Sequence, residues 1–256
     1  MSAAARGALL GAFAGALLAG CASDGPRAQG HRLDLGGPGE RDRDRDVRAV
    51  SPSAVIATEL AFARMAREKG TWTAFREYST EDALWPAPAL ANVQQSLAGT
   101  ADPAEPIVWN PDAVWLSCDG SFALSTGPAT QPNGRRSRFA TIWQRQRKGE
   151  YRWVLDQGFD LEGGYEPAEM IGAKVADCPA GIARVPIRRE EVRRSGAWGS
   201  GRSNDGTLEW TTTVAADCSR SLVVRMNQGG TMTEVFRREA APRPAPEGQP
   251  APSCAV

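Results

Sequence analysis

Three glycine-containing turns, Asp119-Gly120, Asn133-Gly134 and Lys148-Gly149, divide the stretch from Trp109 to Asp160 into four runs rich in Trp, Val, Ile, Phe and Thr. Asp-Gly and Asn-Gly accept the positive φ that a type I′ hairpin turn demands, so the stretch reads as a four-stranded antiparallel meander. Ala113, Trp115 and Ser117 alternate with Val114, Leu116 and Cys118, and Phe122, Leu124 and Thr126 with Ala123 and Ser125. Phe139, Thr141 and Trp143 alternate with Ala140 and Ile142, and Tyr151, Trp153 and Leu155 with Arg152, Val154 and Asp156. Apolar groups on both faces predict that both are covered, one by helices and the other by a second layer or a partner.

The helices precede the meander. Ser51-Pro52-Ser53 supplies a capping hydroxyl and a first-turn proline. Val55, Glu59, Phe62 and Ala66 then recur at helical spacing, and Lys69-Gly70 suits a C-terminus. Thr71 caps a second helix, Trp72 to Tyr78, with Phe75 and Tyr78 on one side. Beyond Pro86 and Pro88 a third helix is expected over about Ala89 to Ala98.

At the N-terminus, residues 1–20 carry Arg6, an apolar run from Ala8 to Leu18 and then small residues, the pattern of a secretory signal. The run ends Leu18-Ala19-Gly20-Cys21, which resembles the lipobox of bacterial lipoproteins. That resemblance implies cleavage before Cys21 and acylation of its thiol and new amine; each buried methylene then adds roughly 0.8 kcal/mol of membrane affinity. Ala22 in the next position implies outer-membrane sorting, so the protein is expected in the cell envelope, facing the periplasm. Residues 21–50 lack hydrophobic periodicity and include the alternating charges Glu40 to Asp46, which predict a disordered tether.

After Asp160 the signal weakens. Residues 161–182 read as a Gly-rich link, and Arg184 to Val192 as a strand or a short helix. Asn204-Asp205-Gly206 and Gln228-Gly229-Gly230 are turns that bound strands over Thr207–Ala215, Leu222–Met226 and Thr231–Arg237. A β-rich unit over 161–238 is small for an independent core, so it is expected to pack on the first sheet or to carry a staple. Besides Cys21 the chain has Cys118, Cys178, Cys218 and Cys254; four cysteines allow three pairings, and Cys178–Cys218, within the second unit, is the one expected. Residues 239–256, with five prolines, read as a disordered tail.

The phrases Ala57-Thr58-Glu59-Leu60-Ala61-Phe62-Ala63, Gly70-Thr71-Trp72-Thr73-Ala74-Phe75, Trp115-Leu116-Ser117-Cys118-Asp119-Gly120 and Trp153-Val154-Leu155-Asp156 resemble uncharacterised bacterial members of the nuclear transport factor 2-like superfamily. The resemblance covers residues 51–160. It implies an α+β fold in which N-terminal helices pack on a curved antiparallel sheet and leave a pocket at the open end of a cone, here followed by the small β-rich C-terminal unit. It says little about activity, because this scaffold hosts isomerases, dehydratases, cyclases and plain binding modules.

Thirty basic and thirty acidic residues cancel, which argues against a nucleic-acid binder. The single histidine, His31, lies in the expected tether, so the folded part has no imidazole; this excludes Ser-His-Asp and Cys-His nucleophiles and most zinc sites. No metal and no cofactor is expected. The carboxylate candidates for acid–base chemistry are Asp156, which in the structural alternative pairs with Arg152 or a backbone amide, and Glu59, which in its own alternative reaches solvent or pairs with Arg64 or an intrahelical neighbour. Tyr78, Trp85, Trp115, Trp143 and Trp153 are the candidates for lining the pocket around a flat or apolar ligand. The function expected is a lipid-anchored module that binds a small ligand or an envelope protein rather than an enzyme. The alternatives are a cyclase- or isomerase-type enzyme using Asp156, and an architectural protein with a filled cone. A homodimer through the outer sheet face is the expected route to an oligomer.

Overall fold

The computed structural model describes residues 50–86, 88–161, 168–178, 193–195, 197–242, 250 and 253–254. The expected signal segment, Cys21, the tether up to residue 49 and the ambiguous run 184–192 lie outside the described residues.

Helix α1 (Pro52–Lys69) begins where the Ser51 side chain accepts the Ser53 N–H and ends at Gly70, whose φ is 111°. It buries Val55, Glu59, Phe62, Ala63 and Ala66. Helix α2 (Thr71–Tyr78) follows at once, and its start is held from outside: the Asp102 carboxylate accepts both the Thr73 N–H and the Thr73 hydroxyl. The expected third helix is largely replaced. Leu90–Asn92 form strand β2, which pairs with β1 (Ser79–Pro86), and only Val93–Ser96 are helical (α3), with the Asn92 side chain as cap.

The expected meander is present as β4 (Ala113–Leu116), β5 (Phe122–Thr130), β6 (Arg136–Arg145) and β7 (Tyr151–Asp160). Its turn glycines take the positive φ expected of them: 69° at Gly120, 78° at Gly134 and 94° at Gly149. The sheet is nonetheless mixed rather than antiparallel. Its order is β2-β1-β7-β6-β5-β4-β8, with β3 (Val108–Trp109) also on β5; β1 runs parallel to β7 and β8 (Gly172–Val175) parallel to β4. The segment read as a link thus contributes a strand.

A second, antiparallel sheet is ordered β13-β12-β11-β10-β9, from β9 (Arg193–Ser195), β10 (Trp198–Arg202), β11 (Leu208–Val214), β12 (Arg220–Gln228) and β13 (Thr231–Ala240). The layers are therefore helices, first sheet, second sheet. Phe62, Phe75, Trp143 and Trp153 belong to the core between helices and first sheet. Leu124, Ile142 and Leu155 meet Leu208, Trp210, Leu222 and Val224 in the core between the sheets. The face expected to meet a second layer or a partner meets the chain's own C-terminal sheet, and Arg48 to Val256 form one compact unit.

Two Asp-Gly turns clasp these sheets. In Ser117-Cys118-Asp119-Gly120-Ser121 and Ser203-Asn204-Asp205-Gly206-Thr207 each aspartate carboxylate accepts the other's backbone N–H, at 2.8 and 3.0 Å. Each carboxylate also accepts hydroxyl donors within its own turn, from Ser117 and Ser121 on one side and Ser203 and Thr207 on the other. The disulfides are Cys118–Cys178 and Cys218–Cys254, not the expected Cys178–Cys218. Cys178 follows β8, and β8 lies against β4, so its near neighbour is Cys118 at the end of β4. Cys254 returns to the Asp217–Arg220 turn, with its N–H on Ala216 O, so this part of the tail is fixed rather than loose. Each bridge is worth roughly 2–4 kcal/mol in the usual range.

Candidate functional site

Strand β7 breaks its own alternation. Thr141 pairs with Asp156 and Ile142 with Leu155, but Trp143 pairs with Trp153, which leaves Val154 as an extra residue. Such a bulge shifts every later side chain to the other face. Tyr151 and Trp153 point toward the helices, Val154 and Leu155 both point into the core between the sheets, and Phe159 joins them. Asp156, Gly158 and Asp160 consequently line the helix side. Uninterrupted alternation would have put Asp156 against the second sheet.

On that side lies a cavity of about 790 Å³, within the 300–1,000 Å³ range of small-molecule sites. Trp72 and Phe75 of α2, Trp85 of β1, Trp109 of β3 and Phe139 of β6 supply aromatic walls. Trp72 stands edge-on to both Phe75 and Trp85, with ring centroids 5.6 and 5.7 Å apart. Arg135 and Asp160, paired at 2.6 Å and largely exposed, mark the mouth together with Arg220, Ala241 and Pro242 of the C-terminal part.

Asp156 is the carboxylate inside. Its Oδ2 accepts the Thr141 hydroxyl at 3.2 Å, and Arg152 instead donates to the backbone carbonyls of Glu77 and Ser79. Burial first, and then the neighbouring Glu59 charge, push the Asp156 carboxyl up to about 7 against the pull of the Thr141 hydrogen bond. It therefore changes protonation near neutrality.

Glu59 is fully buried and neither reaches solvent nor pairs with Arg64. Its Oε1 accepts the Trp109 indole N–H at 2.8 Å; its Oε2 accepts the Trp143 indole N–H at 3.1 Å and the Ser125 hydroxyl. Burial raises its pKa, and the Ser125, Trp109 and Trp143 donors pull the other way. An acceptor-only group ringed by three donors is a structural centre.

Of the expected pocket residues, the structure places Trp85 on the cavity wall. Trp143 and Trp153 are wholly buried core, Tyr78 packs against Phe62 with centroids 5.2 Å apart, and Trp115 stands on the far face beside Phe236. Trp72, Phe75, Trp109 and Phe139 were not among those candidates. For Trp72 and Phe75 the signal was present, since residues three apart share a helix face. Among the described residues there is no cluster of three or more His, Cys, Asp or Glu side chains that could hold a metal.

No family model and no curated protein matches the chain. Among solved structures it is similar to a Parabacteroides distasonis protein whose name proposes a ketosteroid isomerase, with 13% identity, 40% of this chain and 85% of that one covered, and a TM-score of 0.34. It is also similar to a nuclear transport factor 2-like protein of unknown function from Pseudomonas putida, with 12% identity, coverages of 46% and 94%, and a TM-score of 0.31. A nuclear transport factor 2-like protein with a cystatin-like fold from Novosphingobium aromaticivorans gives 17% identity, coverages of 52% and 94%, and a TM-score of 0.31. At these identities and TM-scores the likenesses carry no argument about what the chain does.

Proposed function

We propose that the protein is a lipid-anchored component of the cell envelope, held at the outer membrane through Cys21, whose folded part binds a small, flat and largely apolar molecule. In this reading residues 51–160 form a nuclear transport factor 2-like cone with its ligand site at the open end. The observation that carries the binding reading is the aromatic-walled cavity of about 790 Å³ with one carboxylate, Asp156, inside. A filled cone, which a purely architectural role would need, does not fit that cavity. Two disulfides suit an oxidising compartment and so support export.

Gly158 offers a clean test of the site. A Cβ built there meets nothing within 4 Å, and the residue lines the cavity. Gly158→Phe should fill the cavity, keep the fold, and weaken binding of the neutral fluorescent probe phenylnaphthylamine at least tenfold, about 1.4 kcal/mol. Equal affinity for both proteins would sink the binding reading. The anchor is tested separately: Cys21→Ser should release the protein from salt-washed membranes, and retention there would refute it.

A second reading, a proton-transfer enzyme of the cyclase or isomerase kind, is favoured by one specific feature. Asp156 opens on the cavity with a pKa of about 7, where a carboxylate serves as a general base at neutral pH. It requires that Asp156→Asn abolish turnover while leaving phenylnaphthylamine affinity within about threefold.

A further inference from the structure

The two disulfides stand in different surroundings. Cys218 and Cys254 are 2% and 4% exposed and form a small apolar cluster with Val214. Cys178 is exposed and Cys118 half-buried, just beyond the ends of β8 and β4. Strand β8, which leads to Cys178, is exposed along its whole length. Thiol–disulfide exchange requires that an attacking thiolate reach one of the two sulfurs, so access alone separates the bridges.

The backbone around the exposed bridge has a second set of ties. The Cys118 N–H donates to the Thr207 hydroxyl at 2.9 Å, and the Asp119 N–H to the Asp205 carboxylate. The Thr207 carbonyl accepts the Asn227 N–H at 2.8 Å, and the Asn227 carbonyl accepts the Asp177 N–H at 3.0 Å. The Asn227 side-chain amide donates back to the Asp177 carbonyl at 2.7 Å, and the Asp177 carboxylate accepts the Gly229 N–H. Thr207 and Asn227 are themselves buried. Hydrogen bonds through the second sheet, from Cys118 to Thr207 to Asn227 to Asp177, thus span the same gap as the S–S bond.

We infer that Cys118–Cys178 is a reversible thiol–disulfide exchange site open to an external dithiol, while Cys218–Cys254 is the permanent staple. A reagent thiolate attacks the Cys178 sulfur, the bond to Cys118 breaks, and Cys118 leaves as a thiolate that takes up a proton. The second thiolate of the reagent then attacks the reagent's own sulfur in the mixed disulfide. The reagent closes into a disulfide, and Cys178 is released and protonated. Two electrons and two protons have passed from the dithiol to the protein. Because the second sheet keeps the two thiols side by side, an oxidant of the disulfide class rebuilds the same bridge without unfolding. The inference depends on neither the cavity nor its ligand.

The test is made on the full-length protein under native conditions. Dithiothreitol is raised in steps, free thiols are blocked with iodoacetamide, and the blocked cysteines are mapped by mass spectrometry. Cys118 and Cys178 should be blocked at a dithiothreitol concentration at least about tenfold below that needed for Cys218 and Cys254, with far-ultraviolet circular dichroism unchanged. After the reductant is removed, oxidised glutathione should restore Cys118–Cys178. The Asp177→Ala, Asn227→Ala double variant should slow that recovery at least about fivefold. Thioredoxin in place of dithiothreitol separates the sources of the dithiol. Reduction by both admits a protein dithiol, reduction by dithiothreitol alone restricts the reactant to a small one, and either supports the site. Blocking of all four cysteines at one concentration, loss of the fold on reduction, or recovery of the double variant at the wild-type rate would overturn the inference.

Discussion

The space between the helices and the first sheet holds two carboxylates, and the fold treats them differently. At the closed end Glu59 has no solvent exposure and three donors on its two oxygens, two of them indole N–H groups from Trp109 and Trp143. At the open end Asp156 has a single hydroxyl donor, Thr141, and faces a cavity. Burial raises both pKa values; at Glu59 three donors oppose it without cancelling it, whereas at Asp156 the Glu59 charge adds to it. A buried charge with a full set of partners is architecture; one with too few, beside empty space, is available for a ligand. The comparison also shows that the closed end helps to set the chemistry of the open end.

That contrast can be broken at either carboxylate. The largest expected effect is at the closed end, where Glu59→Ala would strand the Trp109 indole N–H and the Ser125 hydroxyl in the core, while the Trp143 N–H keeps Ser125 Oγ as its acceptor. Unfolding in urea should show a loss of about 3–5 kcal/mol; a loss below about 1 kcal/mol would mean that Glu59 is not a structural centre.

Asp156→Asn should act in the opposite direction, and only at high pH. The folded pKa of Asp156, about 7, lies above the ordinary 3.8, so the folded state holds the proton more tightly than the unfolded chain. Its stabilising contribution is complete below the unfolded pKa and is lost as pH rises toward 7. The asparagine avoids that loss. It should be more stable than wild type by on the order of 2 kcal/mol at pH 8, after allowance for partial exposure, and equal to it at pH 4. A stability difference independent of pH would contradict the assignment.

The smallest effect is expected from Thr141→Val, which removes the one hydroxyl that Asp156 accepts. Because that bond favours the charged form, its loss should raise the Asp156 midpoint further, by about half a pH unit, with stability at pH 4 unchanged. A lowered midpoint would mean that the hydroxyl serves the protonated acid instead.

Much of this scaffold was legible in the sequence because its turns are local. Asp119-Gly120, Asn133-Gly134, Asp205-Gly206 and Gly229-Gly230 need only a positive φ, and the strands they bound lie within a few residues of where alternation puts them. The burial of Val55, Glu59, Phe62 and Ala66 follows from helical spacing alone. What escaped is non-local. Strand β1 carries Glu81 and Asp82 and gains its place by pairing parallel to β7 and antiparallel to β2. Gly172–Val175, with every residue exposed, is a strand only because β4 offers an edge, and that pairing decides the partner of Cys118.

The site was legible in part. Asp156 stands out as a carboxylate in an aromatic strand, but the face it takes depends on the Val154 bulge, which no local signal announces. The same bulge leaves Trp153 in the core beneath the helices, where alternation alone could not tell packing from pocket lining. Of the aromatic candidates, Trp85 stands on the cavity wall, Tyr78, Trp143 and Trp153 in the helix-side core, and Trp115 on the opposite face of the sheet. Asp119-Gly120 and Asp205-Gly206 were legible as separate turns; that they share a Ser-x-Asp-Gly pattern and pair reciprocally to join the sheets was not read from the chain.

The central claim is that Asp156 sits in a ligand cavity and titrates near neutrality. Carbon-13 NMR titration of its side-chain carboxyl, assigned through Asp156→Asn, tests this directly, with and without saturating phenylnaphthylamine. The expected result is a midpoint of about 7 that moves upward when the probe displaces water from the cavity. A midpoint near the ordinary 3.8, unmoved by the probe, would contradict it.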